Sequence, residues 1–159
     1  MRWIWIDAFT EFAPGKTATA VKNLSLAEEY LHDHFPGYPV MPPSLMIEGM
    51  AQTAGILVGQ ARDFKEKVIL AKIRRARFDD YGLPGDRISY RADIESIDTA
   101  GAITSGVVRR NGREVGQVDL MFSHVDQSMS ELNLPEHNFV FTEQFMALLE
   151  TYRLKKPPP

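Results

Sequence analysis

Cysteine is absent from the 159 residues, which removes disulfides, thiolate zinc sites and a cysteine nucleophile, and fits a reducing cytoplasm. Long apolar runs are missing too. The longest, near residues 45–58, is broken by Glu48, Gln52 and Thr53 and is too short to cross a bilayer. The opening MRWIWIDAFTEF carries Arg2, Asp7 and Glu11 and lacks a basic head before a long apolar stretch, so no signal peptide is expected. Positive charge is also scarce. Eighteen Lys+Arg against 21 Asp+Glu leave a net −3, which argues against nucleic acid as a general partner because phosphate binding needs a concentrated positive surface. These absences point to a cytoplasmic protein that uses neither membrane nor nucleic acid.

What remains is the balance of a soluble globular domain, with 44% hydrophobic and 25% charged residues, and a length sufficient for one core without staples. The positive charges that exist are clustered. Lys72, Arg74, Arg75 and Arg77 form one group, and Arg109, Arg110 and Arg113 another. Such groups are either solvated strand edges and hairpin ends or a docking surface for an acidic partner.

Pro14-Gly15 marks a turn, and KTATAVKNL after it alternates as a half-buried strand with Ala18, Ala20 and Lys22 on one face. Ser25–His32 predicts a short helix, with Ser25 as N-cap and Glu28 completing a capping box. HFPGYPVMPP, from His34 to Pro43, holds four prolines and a glycine and predicts an irregular but stiff loop. The next segment, Ser44 to Arg62, is apolar around most of its circumference, the pattern of a long buried helix. Four strands follow at Val68–Phe78, Arg87–Asp98, Ala102–Arg110 and Arg113–Val125, with Ala100-Gly101 and Asn111-Gly112 as turns. One buried helix followed by antiparallel strands is an α+β pattern in which a curved sheet wraps the helix, the hot-dog fold. Residues 1–125 form that domain, and 126–159 are expected as a C-terminal extension of loop, a helix near Thr142–Leu154 and a proline-rich tail.

The buried helix has a single polar stripe, Ser44, Glu48 and Gln52, at four-residue spacing. Burial of a carboxylate there favours its neutral, proton-donating form; the alternative is a carboxylate satisfied by backbone or by an arginine. His34 sits in the stiff loop leading into this helix. His32 and His34 also form a His-x-His pair, but no third metal ligand is evident. His124 sits at a strand end and His137 in a loop, and neither reads as part of a paired His–acid motif.

The whole segment HFPGYPVMPPSLMIEGMAQTAG, His34 to Gly55, resembles the active-site segment of the 3-hydroxyacyl-acyl-carrier-protein dehydratases, the FabZ and FabA type, which read HFPGHPVMPG, an apolar stretch, an acid and an Ala-Gln pair. PGKTATAVKNL is similar to that family's opening strand. RARFDDYGLPGD, Arg75 to Asp86, looks like its second signature, and VGQVDLMFSHV like its last strand. The resemblance spans residues 12–125 and is closer to the FabZ branch, since the acid is Glu.

The resemblance implies dehydration of 3-hydroxyacyl thioesters to trans-2-enoyl thioesters in fatty-acid or related acyl synthesis. His34 and Glu48 are then the catalytic pair, and Gly37, Pro43, Ser44, Gln52 and Phe78 contact substrate. It implies an acyl-carrier protein as partner, a homodimer in which histidine and acid meet across the contact, assembly into a trimer of dimers, and no metal or redox cofactor. Two positions depart from the family: Tyr38 replaces its second histidine, and Pro43 replaces a glycine whose N–H faces the thioester carbonyl. Proline suits a first helical turn but has no N–H, so the oxyanion donor would have to be the Ser44 amide, its hydroxyl or another group. A hot-dog thioesterase using Glu48 to activate water, and a non-catalytic acyl-carrier-binding subunit, are the competing readings.

Overall fold

The computed structural model describes residues 3–125, 138 and 140–155. Six strands form one antiparallel sheet in the order β1-β2-β4-β5-β6-β3. They are β1 (Ala8–Ala13), β2 (Thr17–Asn23), β3 (Lys67–Phe78), β4 (Arg87–Ile97), β5 (Gly101–Arg110) and β6 (Arg113–Val125). The sheet wraps α2 (Pro43–Gln60); α1 (Tyr30–Asp33) is a single turn, and α3 (Glu143–Lys155) lies against β1. This is the hot-dog arrangement expected from the sequence.

The core explains why α2 carries apolar residues on all sides. Met46, Met50, Ala54, Leu57 and Val58 are each at most 1% exposed, and burial of a large side chain is worth about 1.5–3 kcal/mol. Alternate residues of β4 and β5, among them Ile88, Tyr90, Ala92 and Val108, close on the helix from the sheet. Gly49 is needed at one crossing: a Cβ there would overlap the ring of Tyr90. The Asn111-Gly112 turn is the two-residue hairpin anticipated, with φ of 50° and 87° joining Arg110 to Arg113.

The expected helix over Ser25–His32 is reduced to Tyr30–Asp33. Ser25 heads a turn in which its carbonyl accepts from Glu28 N–H and its Oγ from Ala27 N–H. The Glu28 carboxylate does not reach back to complete a capping box. It pairs instead with Lys22 at 2.7 Å, while Asp7 pairs with the same ammonium at 3.0 Å. Lys22 lies on the inward face with Ala18 and Ala20, as the alternation of β2 indicated, and the two carboxylates satisfy it there. Strand β1 was not anticipated. It pairs with β2 through a bulge between Phe9 and Glu11, which lets both Phe9 and Phe12 face the core.

Candidate active site

Loop chemistry shapes the first half of the site. Pro36 and Gly37 are the central residues of a turn in which the Phe35 and Tyr38 backbones exchange hydrogen bonds of 2.9 and 3.0 Å, and the φ of 80° at Gly37 is a conformation that suits glycine. His34 precedes the turn and is half-buried. Its carbonyl accepts from Val40 N–H at 2.9 Å, and its Nδ1 lies 2.9 Å from Val40 O. A carbonyl only accepts, so Nδ1 carries a proton and Nε2 is the ring nitrogen left unengaged among the described residues. The ring stacks on Phe35 at 4.2 Å, while Phe35 and Tyr38 themselves are exposed. His32 is engaged separately, its Nε2 lying 2.9 Å from Leu26 O.

The loop delivers the chain into α2 through Pro42 as N-cap and Pro43 in the first turn. Leu45 and Met46 N–H both donate to Pro42 O, and Pro43 has no N–H to offer. The Ser44 amide is therefore the first free donor of the helix, with no acceptor among the described residues. The first turn carries no acidic side chain, so the positive end of the helix stays unneutralised.

The second half of the site lies one turn further along α2. Glu48 is half-buried, and its Oε1 accepts from Gln52 Nε2 at 2.9 Å. Gln52 is itself fixed from a distance: Nε2 also donates to Trp3 O at 3.0 Å, and Oε1 accepts Trp5 N–H at 2.8 Å. Both amide hydrogens and the carbonyl oxygen are thus in use, which makes Gln52 a clamp between Glu48 and the N-terminal segment. Glu48 and Gln52 stand at one end of a cleft of about 180 Å³. Its walls are Ala51, Gly55 and Ile56 of α2, Val68 and Leu70 of β3, Phe122 of β6, Trp3, and the aromatic pair Phe141 and Phe145.

Within one chain, then, Glu48 and Gln52 are brought together, while His34 and Phe78 do not line the cleft. Phe78 ends β3 and lies over Gly116, where a Cβ would overlap its ring. His124 has an acid beside it from another part of the chain: its Nδ1 is 3.0 Å from the Glu66 carboxylate. His137 lies outside the described residues. Several clustered arginines are engaged on the chain's own acids: Arg74 with Glu95, Arg75 with Asp119, Arg77 with Asp79, and Arg110 and Arg113 with Asp80. Sequence reasoning did not single out Trp3 or the pair Phe141 and Phe145, because an aromatic residue far along the chain carries no local sign of which cleft it will line.

Comparison with known proteins adds the following. A family model described as a FabA-like domain matches residues 3–118. A 3-hydroxyacyl-[acyl-carrier-protein] dehydratase FabZ of Halalkalibacterium halodurans is 34% identical over 124 residues, covering 76% of this chain and 87% of that protein. The protein of the same name in Listeria welshimeri is 35% identical, covering 78% and 87%. Among solved structures, the dehydratase heterocomplex ApeI:P of Xenorhabdus doucetiae superposes with a TM-score of 0.68 at 14% identity, covering 84% of this chain and 91% of that one. The smu.793 protein of Streptococcus mutans, bound to acetyl CoA, gives 0.61 at 10% identity over 74% and 87%.

Proposed function

This chain belongs to the FabA-like family, and from that premise we propose that it is a 3-hydroxyacyl-[acyl-carrier-protein] dehydratase, releasing water from a 3-hydroxyacyl thioester to leave a trans-2-enoyl thioester. The observation that carries the reading is a glutamate clamped by Gln52 at an apolar cleft on α2, the helix entered from a loop in which the His34 ring is held through Nδ1 with Nε2 unengaged. Nε2 of His34 takes the C2 proton. Electrons from that C–H bond move toward the thioester carbonyl, and the Ser44 N–H at the head of α2 is suited to hold the developing negative oxygen. As the C2–C3 double bond forms, the C3 hydroxyl leaves with a proton from Glu48, and water is the product. The apolar cleft accepts the acyl chain.

The two groups work together only if a second subunit brings its histidine to this glutamate. That is consistent with a His34 standing outside the cleft of its own chain. Strand β3 is one of the two edges of the sheet, and Ala71–Arg77 are exposed there in succession, with Ile73 at 45%. An unpaired, partly apolar edge of this kind favours pairing with a second copy. We take the functional unit to be a homodimer, able to assemble further into a trimer of dimers. Among the described residues no helix is long and apolar enough to cross a membrane, and a cytoplasmic site of action is the natural one for this chemistry. An acyl-carrier protein is the carrier of the substrate, with Lys72 and Arg109 available to its acidic surface because neither has an ion pair among the described residues.

Hydration of crotonyl and longer enoyl thioesters, followed beside release of free thiol, tests the reading. Hydration without thiol release is the expected result. Thiol release alone would make the protein a thioesterase, and carrier binding with neither reaction would make it a binding subunit.

A further inference from the structure

We infer that the segment from Asn138 to α3 is the acyl-chain gauge of this enzyme, with Phe141 and Phe145 closing the cleft at the end away from Glu48. The inference rests on the dehydratase reading of that cleft and adds to it what limits the substrate's length. The segment lies beyond residue 118, where the match to the family model stops.

Position along α2 gives the measure. Glu48 stands near the start of the helix, whereas the Phe141 ring occupies the notch left by Gly59, where a Cβ would overlap it. Eleven residues separate the two, roughly 16 Å at 1.5 Å per residue. Gly55 and Ile56 line the stretch between, and Phe145 joins Phe141 in the wall. An acyl chain anchored by its thioester near Glu48 and laid along this face meets aromatic carbon where it would otherwise run on.

The wall is fixed rather than draped. Asn138 Nδ2 donates to Phe64 O at 3.2 Å and Glu66 O at 3.3 Å, while its Oδ1 accepts the N–H groups of Val140 and Phe141 at 3.1 and 3.3 Å. Phe64 meets Phe141 edge to face at 5.0 Å. Behind them Leu149 of α3 is 1% exposed, and the Tyr152 hydroxyl accepts Phe12 N–H at 3.1 Å. Pinned by side-chain amide, ring contact and buried leucine, the phenylalanines cannot swing away cheaply to admit a longer chain.

The experiment compares wild type with Phe141→Ala and Phe145→Ala, using pantetheine thioethers that carry butyl, octyl and hexadecyl chains in place of the butyryl, octanoyl and palmitoyl groups for binding, and the matching enoyl thioesters for hydration. Wild type should gain affinity from butyryl to octanoyl and lose the gain at palmitoyl. Opening the wall should raise the palmitoyl-to-butyryl ratio in affinity and in kcat/KM by about tenfold or more, since each methylene admitted to an apolar pocket contributes on this scale. Better handling of the longest chain cannot come from misfolding. An unchanged length profile in both folded variants overturns the inference, and so does failure of wild type to bind any thioether. If the thioethers bind, the ratio shifts in the variants and no hydration occurs, the gauge stands and the dehydratase reading falls.

Discussion

The loop that carries His34 and the helical turn that carries Glu48 are held in opposite ways. His34 is fixed by its own neighbourhood: Val40, six residues on, binds both its carbonyl and its ring, and the Pro36-Gly37 turn lies between. Glu48 is fixed through Gln52 by Trp3 and Trp5, more than forty residues earlier. One half of the site is assembled by local sequence and the other by tertiary structure. Damage to distant parts of the fold should therefore reach the acid before it reaches the base.

The largest effect should erase the difference between the halves. His34→Ala and Glu48→Gln are each expected to lower turnover on the order of 10²-fold or more, because each removes a proton-transfer group. Neither should move the unfolding midpoint much. If either purified variant turns over like wild type, its residue leaves the mechanism. Mixing the two inactive proteins under subunit exchange should restore part of the activity, and a null result with proven exchange would place both groups in one chain.

Next is the junction of the two halves, where Pro43 removes a donor and leaves the Ser44 amide as the first of the helix. Pro43→Gly adds an N–H there and should raise kcat, by up to about 10²-fold if the new amide reaches the oxyanion. The stability lost to added backbone freedom is about 1 kcal/mol. A folded variant that binds thioester but is no faster would show that the oxyanion needs no donor at that position.

Gln52→Leu sharpens the contrast itself. It strands the Trp5 N–H in the interior, at a cost of about 1–3 kcal/mol, and frees the Glu48 carboxylate. Chemical denaturation should read the loss, and kcat should fall more than KM rises. Unchanged stability would mean that the clamp is not maintained in solution.

The smallest effect concerns pH. Desolvation alone would lower the Lys22 pKa, but hydrogen bonds and attraction from Glu28 and Asp7 outweigh it and leave the group raised above its ordinary 10.5. A raised lysine stabilises the fold fully below the unfolded-state pKa and loses that contribution as pH climbs through the folded one. Wild type should therefore lose stability above about pH 10.5 more steeply than Lys22→Met, as followed by thermal melts across the alkaline range. Parallel curves would remove Lys22 from the account. Asp7 belongs to the N-terminal segment that clamps Gln52, so the loss should appear on the Glu48 side of the site first.

How far the sequence could be read follows the same division. Helix α2, the alternation of β2 and the Asn-Gly hairpin were legible because each is written in consecutive residues. Strand β1 was not: its bulge puts Phe9 and Phe12 on the core side at a spacing of three, which breaks the alternation that marks a strand. The helix expected at Ser25 failed because Glu28 serves a buried lysine instead of a cap. The stripe of Ser44, Glu48 and Gln52 was visible, but the use of Gln52 was not, since its partners Trp3 and Trp5 come from another part of the chain.

The Gln52 amide also decides where a proton can live. Its Nε2 always points a hydrogen at Oε1 of Glu48, because its own Oε1 is committed to Trp5. A proton carried by the carboxyl group itself would then sit on Oε2. If Glu48 is the acid of the proposed mechanism, it has one oxygen free to deliver a proton and one direction of delivery. In the proposed mechanism, a pair of tryptophan backbone groups near the start of the chain would in this way set the side from which the leaving hydroxyl is met.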